Sequence, residues 1–156
     1  MAKTIYKEIS QKVFRDPYEE LAVSALYTGL FMKEAINQLL KPYGLNMVHY
    51  NVLRIVRGQG EDFVPLKIIK DVLLDKSINL SRSVDHLVQQ ESVERESRNS
   101  DRREIKIKIT TKGRNLLQQI QPHIDDKLNR IGNGLSPEEA KMTAQNLDHL
   151  REAYRS

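Results

Sequence analysis

The feature that most constrains the fold of this 156-residue chain is a change of hydrophobic period beyond its middle. Up to about residue 90, apolar side chains recur at helical spacings of three and four. From Val93 to Arg98 and from Arg103 to Thr110 they alternate with polar ones, and a polar turn separates the two runs. Helical spacing returns from Thr111. Two short alternating runs joined by a turn are typical of a β-hairpin, so the sequence predicts a mainly α fold with one small hairpin, of the α+β class.

Six helical segments are predicted around that hairpin. From the apolar spacing and the Gly, Pro and Ser signals at their ends, they cover residues 21–40, 45–57, 65–72, 77–90, 111–131 and 136 onward. The first is apolar almost all round its axis. The fifth carries a long apolar stripe, made of Leu116, Ile120, Ile124, Leu128 and Ile131. Since a small monomer offers little cover for such surfaces, we expect a homodimer held together by the terminal regions.

Composition excludes several classes of protein. The chain has the length of one domain, and its zero cysteines exclude disulfides, thiolate metal sites and a cysteine nucleophile. Its first residues lack the apolar core of a secretory signal. The most apolar stretch, Leu21 to Leu40, contains Lys33 and Glu34, which a membrane span rarely accepts. We therefore expect a cytoplasmic protein with no membrane partner.

Basic residues are concentrated around the hairpin. The net charge of the chain is +4, but residues 95–114 hold eight Lys/Arg and three acidic residues. Their local balance is +5, so the other 136 residues together carry −1. A local positive field suits an anionic partner such as nucleic acid. A solvated hairpin edge protected by lysines is the alternative interpretation of the same charges.

The hairpin itself predicts one buried face and one exposed tip. Ile105 to Ile109 alternates isoleucine with lysine, so the isoleucines are expected to pack on a core and the lysines to face outward. The tip carries Arg102 and Arg103, with Asp101 close enough in sequence to orient the second guanidinium. Planar cations at a hairpin tip suit the narrow minor groove of DNA.

The helix before the hairpin has a face suited to reading bases. We expect it to begin at Ser77 as its N-cap. Its apolar seam consists of Leu80, Val84 and Leu87, and its opposite side carries Asn79, Ser81, Arg82 and His86. Short polar groups and an arginine can reach base edges in the major groove. A recognition helix followed by a basic wing is therefore predicted.

The segment "LSRSVDHLVQQESVERESRNSDRREIKIKITTKG" resembles the winged-helix signature of the MarR family of transcriptional regulators. The motifs that carry the resemblance are Val93-Glu94-Arg95, Asp101-Arg102-Arg103 and the stretch from Ile109 to Gly113, and the order of elements extends it over roughly residues 18–154. It implies a homodimeric regulator that binds double-stranded DNA, most often a repressor relieved by a small aromatic or lipophilic ligand.

The resemblance also implies an organisation and a set of contacts. Residues 43–113 would form the winged-helix core, with the recognition helix at about 77–90 and the wing at about 93–110, and residues 1–42 and 114–156 would form dimerisation regions. The DNA-binding residues would be Ser77, Asn79, Ser81, Arg82, His86, Arg95, Arg98, Asp101, Arg102 and Arg103.

Three residues depart from the family pattern. Glu91 stands where a glycine usually follows the recognition helix, Ser92 stands where an apolar residue is common, and Ser83 also replaces a usually apolar residue. Either position 91 needs a positive φ, in which case a glutamate there costs roughly 1 kcal/mol of strain, or the turn at this joint differs from that of the family.

Other classes of function find less support in the sequence. The four histidines form no HExxH motif, and no phosphate-binding or nucleophile-elbow motif is present. His123 near Asp125 and Asp126 is the best candidate metal cluster, and solvated helix surface is the alternative, so we expect no enzyme, no metal and no cofactor. A winged helix used only for protein assembly, and a DNA-binding protein without a ligand, both stay open. Four residues could line a ligand cavity or form ordinary core: Tyr27, Phe31, Met32 and Tyr50.

Overall fold

A computed structural model of the chain describes residues 4–96 and 105–155. They form two compact units, one made of Met1–Ala35 with Arg130–Ser156 and the other of Ile36–Asn129. The fold is mainly α with one small antiparallel sheet, as the sequence predicts. Within the described ranges, no helix is both long enough and apolar enough to cross a membrane.

The first unit is helical. It contains α1 (Ile5–Glu8), most of α2 (Pro17–Leu40), a 3-10 turn (Arg130–Asn133) and α7 (Pro137–Ala153). Helix α2 begins before the expected Leu21, because the Asp16 side chain accepts hydrogen bonds from the backbone N–H groups of Tyr18 and Glu19, and proline fits the first helical position. Helix α7 begins at the capping box of Ser136 and Glu139, which confirms the prediction of Ser136 as N-cap.

The second unit has the order of a winged helix. Its elements are α3 (Met47–Gly58), β1 (Val64–Pro65), α4 (Leu66–Val72), α5 (Leu80–Gln89), β2 (Val93–Arg95), β3 (Lys106–Ile109) and α6 (Thr111–Asn129). The strands pair antiparallel in the order β1-β3-β2, with Val93 opposite Ile109 and Val64 opposite Ile107. Strand β1 was not predicted, since two residues, one of them proline, show no alternation.

The core of the second unit lies between the sheet and helices α3, α5 and α6. Ile107 and Ile109 of β3 are buried as predicted, whereas Ile105, which stands just before β3, is 37% exposed. Helix α6 runs on through Pro122. It buries Leu117, Ile120 and Ile124, whereas Leu116 only packs against the core and Leu128 and Ile131 are half exposed. The predicted apolar stripe is therefore buried only over its middle.

Candidate nucleic-acid interface

Helix α5 occupies the place predicted for the recognition helix but starts later. Its N-cap is Asn79, whose side-chain oxygen accepts a hydrogen bond from Arg82 N at 3.2 Å. The prediction that Ser77 caps the helix is wrong, because Ser77 N and Oγ both donate to the Asp75 carboxylate, at 3.1 and 2.6 Å. Ser77 therefore belongs to the turn before the helix, and the buried seam begins directly after the true cap, at Leu80.

The exposed side of α5 is polar at its N-terminal end. Leu80, Val84 and Leu87 are buried, as predicted. Ser81 and Arg82, predicted to read bases, are both exposed, and Asn79 stands at the start of the same surface. The helix thus holds one apolar face on the core and presents small polar groups with a guanidinium on the other, which is the arrangement that fits a major groove.

A basic cleft lies next to this surface. It has a volume of about 550 Å³ and is lined by Leu66, Lys67, Lys70, Ser77, Ile78, Asn79, Leu80 and Ser81. Lys67 and Lys70 are exposed, and they lie on one side of α4 because they are three residues apart. Ammonium groups beside the first turn of a helix favour a phosphate oxygen there. The sequence reasoning missed both lysines, although their helical spacing was visible.

His86, predicted to contact DNA, faces the protein instead of standing free on the helix surface. Its Nε2 lies 2.8 Å from the carbonyl oxygen of Gly44, and its ring stacks on that of His49 with centroids 4.3 Å apart. Gln90 Nε2 donates to the same carbonyl at 3.3 Å. Burial, together with the nearby His86, lowers the pKa of His49 to about 4 from its ordinary value of 6.5.

The wing is described only at its base. Strands β2 and β3 pair antiparallel over Val93–Arg95 and Lys106–Ile109, which confirms the predicted pairing of these two segments. The predicted DNA-binding residues Arg98, Asp101, Arg102 and Arg103 lie outside the described residues, and so does the predicted brace of Arg103 by Asp101. These remain predictions.

Ion pairs neutralise the basic residues at the base of the wing. Arg95 pairs with Asp85 of α5, which joins the wing to the recognition helix. The other pairs are Lys106 with Glu96 at 3.8 Å, Lys108 with Glu61 at 3.5 Å, Lys112 with Glu91 at 2.8 Å, and Arg114 with Glu61. All five basic residues of the segment 95–114 that the structure describes thus have an acidic partner. The local charge of +5 counted from the sequence therefore overstates the field at this surface.

The joint between α5 and the wing is a Schellman motif with a glutamate in the left-handed position. Glu91 has φ 58°, its N–H donates to Val88 O, and Ser92 N–H donates to Leu87 O, both at 2.9 Å. The Glu91 carboxylate accepts from Lys112 Nζ at 2.8 Å, which lowers the pKa of that carboxyl. The condition stated for position 91 is therefore met, since the residue has a positive φ, a conformation that favours glycine.

Ser92 and Gly113 lie close together at the joint. Ser92 is 1% exposed, and its hydroxyl has no hydrogen-bond partner among residues 4–96 and 105–155. Ser92 O accepts from Thr110 N at 3.2 Å, and a Cβ placed on Gly113 would lie only 2.1 Å from that oxygen. The start of α6 therefore requires a glycine where it meets the joint.

The other sequence candidates are not brought together. Tyr27 and Phe31 line a cleft of about 340 Å³ with Ile5, Glu8, Ser24 and Thr28 in the first unit. Met32 does not line it, and Tyr50 belongs to the core of the second unit. Among the residues that the structure describes, no group of three or more His, Asp or Glu side chains could hold a metal ion.

Comparison with known proteins finds one family that matches the winged-helix segment and relatives that match most of the chain. A family model of a winged helix DNA-binding domain matches residues 45–113. The chain is 31% identical over 130 residues to the HTH-type transcriptional regulator MhqR of Bacillus subtilis, covering 83% of this chain and 87% of that protein. It is 25% identical over 131 residues to the transcriptional repressor MprA of Escherichia coli, covering 83% and 74%.

A solved structure agrees in fold. AbsC, a MarR family transcriptional regulator from Streptomyces coelicolor, superposes with a TM-score of 0.75 at 22% identity, covering 92% of this chain and 99% of that chain. The structural match supports the winged-helix fold, and the sequence match to a transcriptional regulator extends over most of both proteins. Both agree with the signature between residues 80 and 113. The chain therefore belongs to the MarR family of winged-helix, DNA-binding transcriptional regulators.

Proposed function

We propose that a homodimer of this chain acts in the cytoplasm as a sequence-specific repressor of transcription. The recognition helix α5 would enter the major groove, and the wing would reach the adjacent minor groove through Arg102 and Arg103. The name of the relative MprA, a transcriptional repressor, supports the sign of regulation. The winged-helix order of the second unit supports the placement of α5 and the wing.

One observation carries this proposal. Helix α5 is fixed on the core by a buried apolar seam, while Ser81 and Arg82 project from its opposite side beside the lysine-lined cleft. The groups proposed to read bases and the groups proposed to bind phosphates thus lie next to each other. That is the division of labour found at specific protein–DNA interfaces, where phosphate contacts position the protein and base contacts specify the sequence.

Selection of bound sequences from a random duplex pool tests the proposal. We expect enrichment of one palindromic site with half-sites about one helical turn apart, since a symmetric dimer presents two copies of α5. Arg82→Ala is expected to lose about 1–3 kcal/mol of preference for that site while keeping most of its affinity for random DNA. Lys67→Ala should weaken binding to all sequences alike. Enrichment of no sequence at all would refute specific binding.

The salt dependence of binding measures how many phosphates are contacted. Because the basic residues at the base of the wing already have acidic partners, we expect about six neutralised phosphates per dimer, which corresponds to an affinity loss of about 10³ between 50 and 200 mM salt. A flat response would mean that the lysines of α4 and the wing arginines do not face DNA.

Dimerisation through the regions 1–42 and 114–156 is supported by exposed apolar side chains of the first unit. Leu26, Leu30 and Phe31 of α2 are 69, 67 and 64% exposed, and Met142 of α7 is 60% exposed. Such a surface is unusual on a monomer and fits an obligate interface, which buries roughly 2,000 Å² or more. Sedimentation equilibrium at micromolar concentration should give twice the chain mass, and a monomer would contradict the proposal.

We also propose that a small lipophilic or aromatic ligand releases the DNA. The cleft lined by Tyr27 and Phe31 combines aromatic surface with the polar groups of Glu8, Ser24 and Thr28, a lining suited to a phenolic compound. 2-Naphthol is a suitable probe. It should displace labelled operator from the wild-type protein and do so less effectively from Phe31→Ala. If it leaves both complexes intact, aromatic ligands of this size do not act through this cleft.

A further inference from the structure

Two side chains of the recognition helix lie within hydrogen-bonding distance of the carbonyl oxygen of Gly44. His86 Nε2 lies 2.8 Å from it and Gln90 Nε2 lies 3.3 Å from it. His86 and Gln90 are four residues apart, so they lie on the same side of the C-terminal part of α5. Gly44 ends the 3-10 turn Lys41–Tyr43, which directly follows α2. The two hydrogen bonds therefore tie the recognition helix to the end of α2.

The turn that receives these bonds is itself fixed. Gly44 has φ +68°, and a Cβ at this position would lie 2.5 Å from Gln90 Nε2, so only glycine allows the contact. On the other side of the turn, Asn37 Oδ1 of α2 accepts from Met47 N of α3 at 2.8 Å. This bond joins the helices on the two sides of the turn and so limits the movement of the Gly44 carbonyl.

His49 fixes the orientation of the His86 ring. The two rings are stacked, with an interplanar angle of 11°. His49 Nδ1 accepts from Asn46 N at 3.3 Å as part of the capping box of α3, so its own proton lies on Nε2. His86 Nε2 faces a carbonyl oxygen and therefore also carries a proton. The Nε2 donor of His86 is thus already used inside the protein.

We propose that His86 is a positioning residue, which fixes the placement of α5 through the Gly44 carbonyl and does not itself read bases. The inference rests on the proposed function. The apolar seam of α5 holds the helix on the core but is not directional, so by itself it permits small rotations and slides. Directional hydrogen bonds at the C-terminal end remove that freedom and set the angle at which Ser81 and Arg82 are presented to the groove.

Three variants test this role. For each, we compare the affinity for the selected operator with the affinity for random duplex DNA of the same length, at the same salt concentration, and report the ratio of the two. His86→Leu removes the bond to Gly44 and is expected to lower the ratio about tenfold, the equivalent of one hydrogen bond. His86→Gln offers an amide donor in place of Nε2–H and should restore most of the ratio. Gln59→Leu adds the same apolar side chain at an exposed position at the end of α3, outside the recognition helix, and should leave the ratio unchanged.

The outcomes separate the inference from the function on which it rests. An unchanged ratio in His86→Leu, or an equal loss in His86→Gln, overturns the positioning role. A changed operator sequence selected by His86→Gln also overturns it, since His86 would then read a base. If the wild-type protein shows no preference for any DNA sequence, the proposed function fails instead.

A measurement on the wild-type protein tests the inference even if a variant does not fold. Nitrogen-15 spectra of the histidine rings should show His86 in the Nε2–H form, with that proton protected from exchange by its bond to Gly44. His49 should show the same tautomer. An Nδ1–H form of His86, or rapid exchange of its Nε2 proton, would contradict the inference without any substitution.

Discussion

Replacing Glu91 by glycine should stabilise this protein, although the change removes an ion pair. Glu91 stands in the left-handed position of the Schellman motif that ends α5. The chain uses the same motif at the end of the 3-10 turn after α2, where Gly44 N–H donates to Lys41 O and Leu45 N–H to Leu40 O, and there the left-handed residue is a glycine. The two joints differ in the residue that adopts positive φ.

The size of the effect follows from backbone strain and chain entropy. A residue with a Cβ in the left-handed region costs about 1–2 kcal/mol. Glycine avoids this strain but gives the unfolded chain more freedom, which costs about 0.5–1 kcal/mol. The net gain at position 91 is therefore about 0.5–1 kcal/mol. The bond from Lys112 to the carboxylate contributes little, because both side chains are well exposed.

Urea denaturation at one fixed protein concentration measures this gain, since the stability of a dimer depends on concentration. Glu91→Ala is the matched control, because it also loses the contact with Lys112 but keeps a Cβ in the left-handed conformation. We expect the glycine variant to be the most stable of the three proteins and the alanine variant to be no more stable than wild type. Equal stability of the glycine and alanine variants would refute the strain argument.

Three further predictions follow from the same unit. Ser92→Ala removes a buried hydroxyl without a described partner, so the free energy of unfolding should rise by about 1 kcal/mol; a fall would mean that the hydroxyl is satisfied. His49 resists protonation in the folded state, where its pKa is about 4, but not in the unfolded chain, so stability should fall between pH 6.5 and pH 4 and stay unaffected by this group above that window. The loss should be on the order of 2 kcal/mol after allowance for solvent screening, and His49→Gln, which can keep the capping box, should abolish it. Asp85→Asn frees Arg95 for a phosphate, so affinity for random DNA should rise and the salt slope should steepen by about one; an unchanged slope would show that Arg95 does not reach the backbone.

The sequence predicted those parts of the fold that depend on local periodicity. The paired strands of the hairpin and the apolar seam of α5 follow from spacings within about ten residues, and the structure has both where the sequence predicts them. The start of α5 was misplaced because Ser77 and Asn79 are both good N-caps. The choice between them depends on Asp75, which draws Ser77 into the preceding turn.

Within the candidate site, the sequence predicted exposure correctly only where a side chain points into solvent from a regular helix. Ser81 and Arg82 meet that condition. His86 does not, because its partners Gly44 and His49 lie far away in sequence and no helical pattern reveals them. The same limit applies to the charge count, since two of the acids that pair with basic residues of the wing, Asp85 of α5 and Glu61 before β1, lie outside the segment 95–114.

The net charge at the base of the wing depends on Glu61, a residue that lies outside the wing. It lies in the turn between α3 and β1, and its carboxylate forms ion pairs with both Lys108 of β3 and Arg114 of α6. A single substitution there would leave two cations without this partner, yet would alter neither the recognition helix nor the strand pairing. In the proposed function, general attraction to nucleic acid and discrimination among sequences would thus depend on separate parts of the chain. Such modularity would let natural variation, or a protein engineer, tune the one without rebuilding the other.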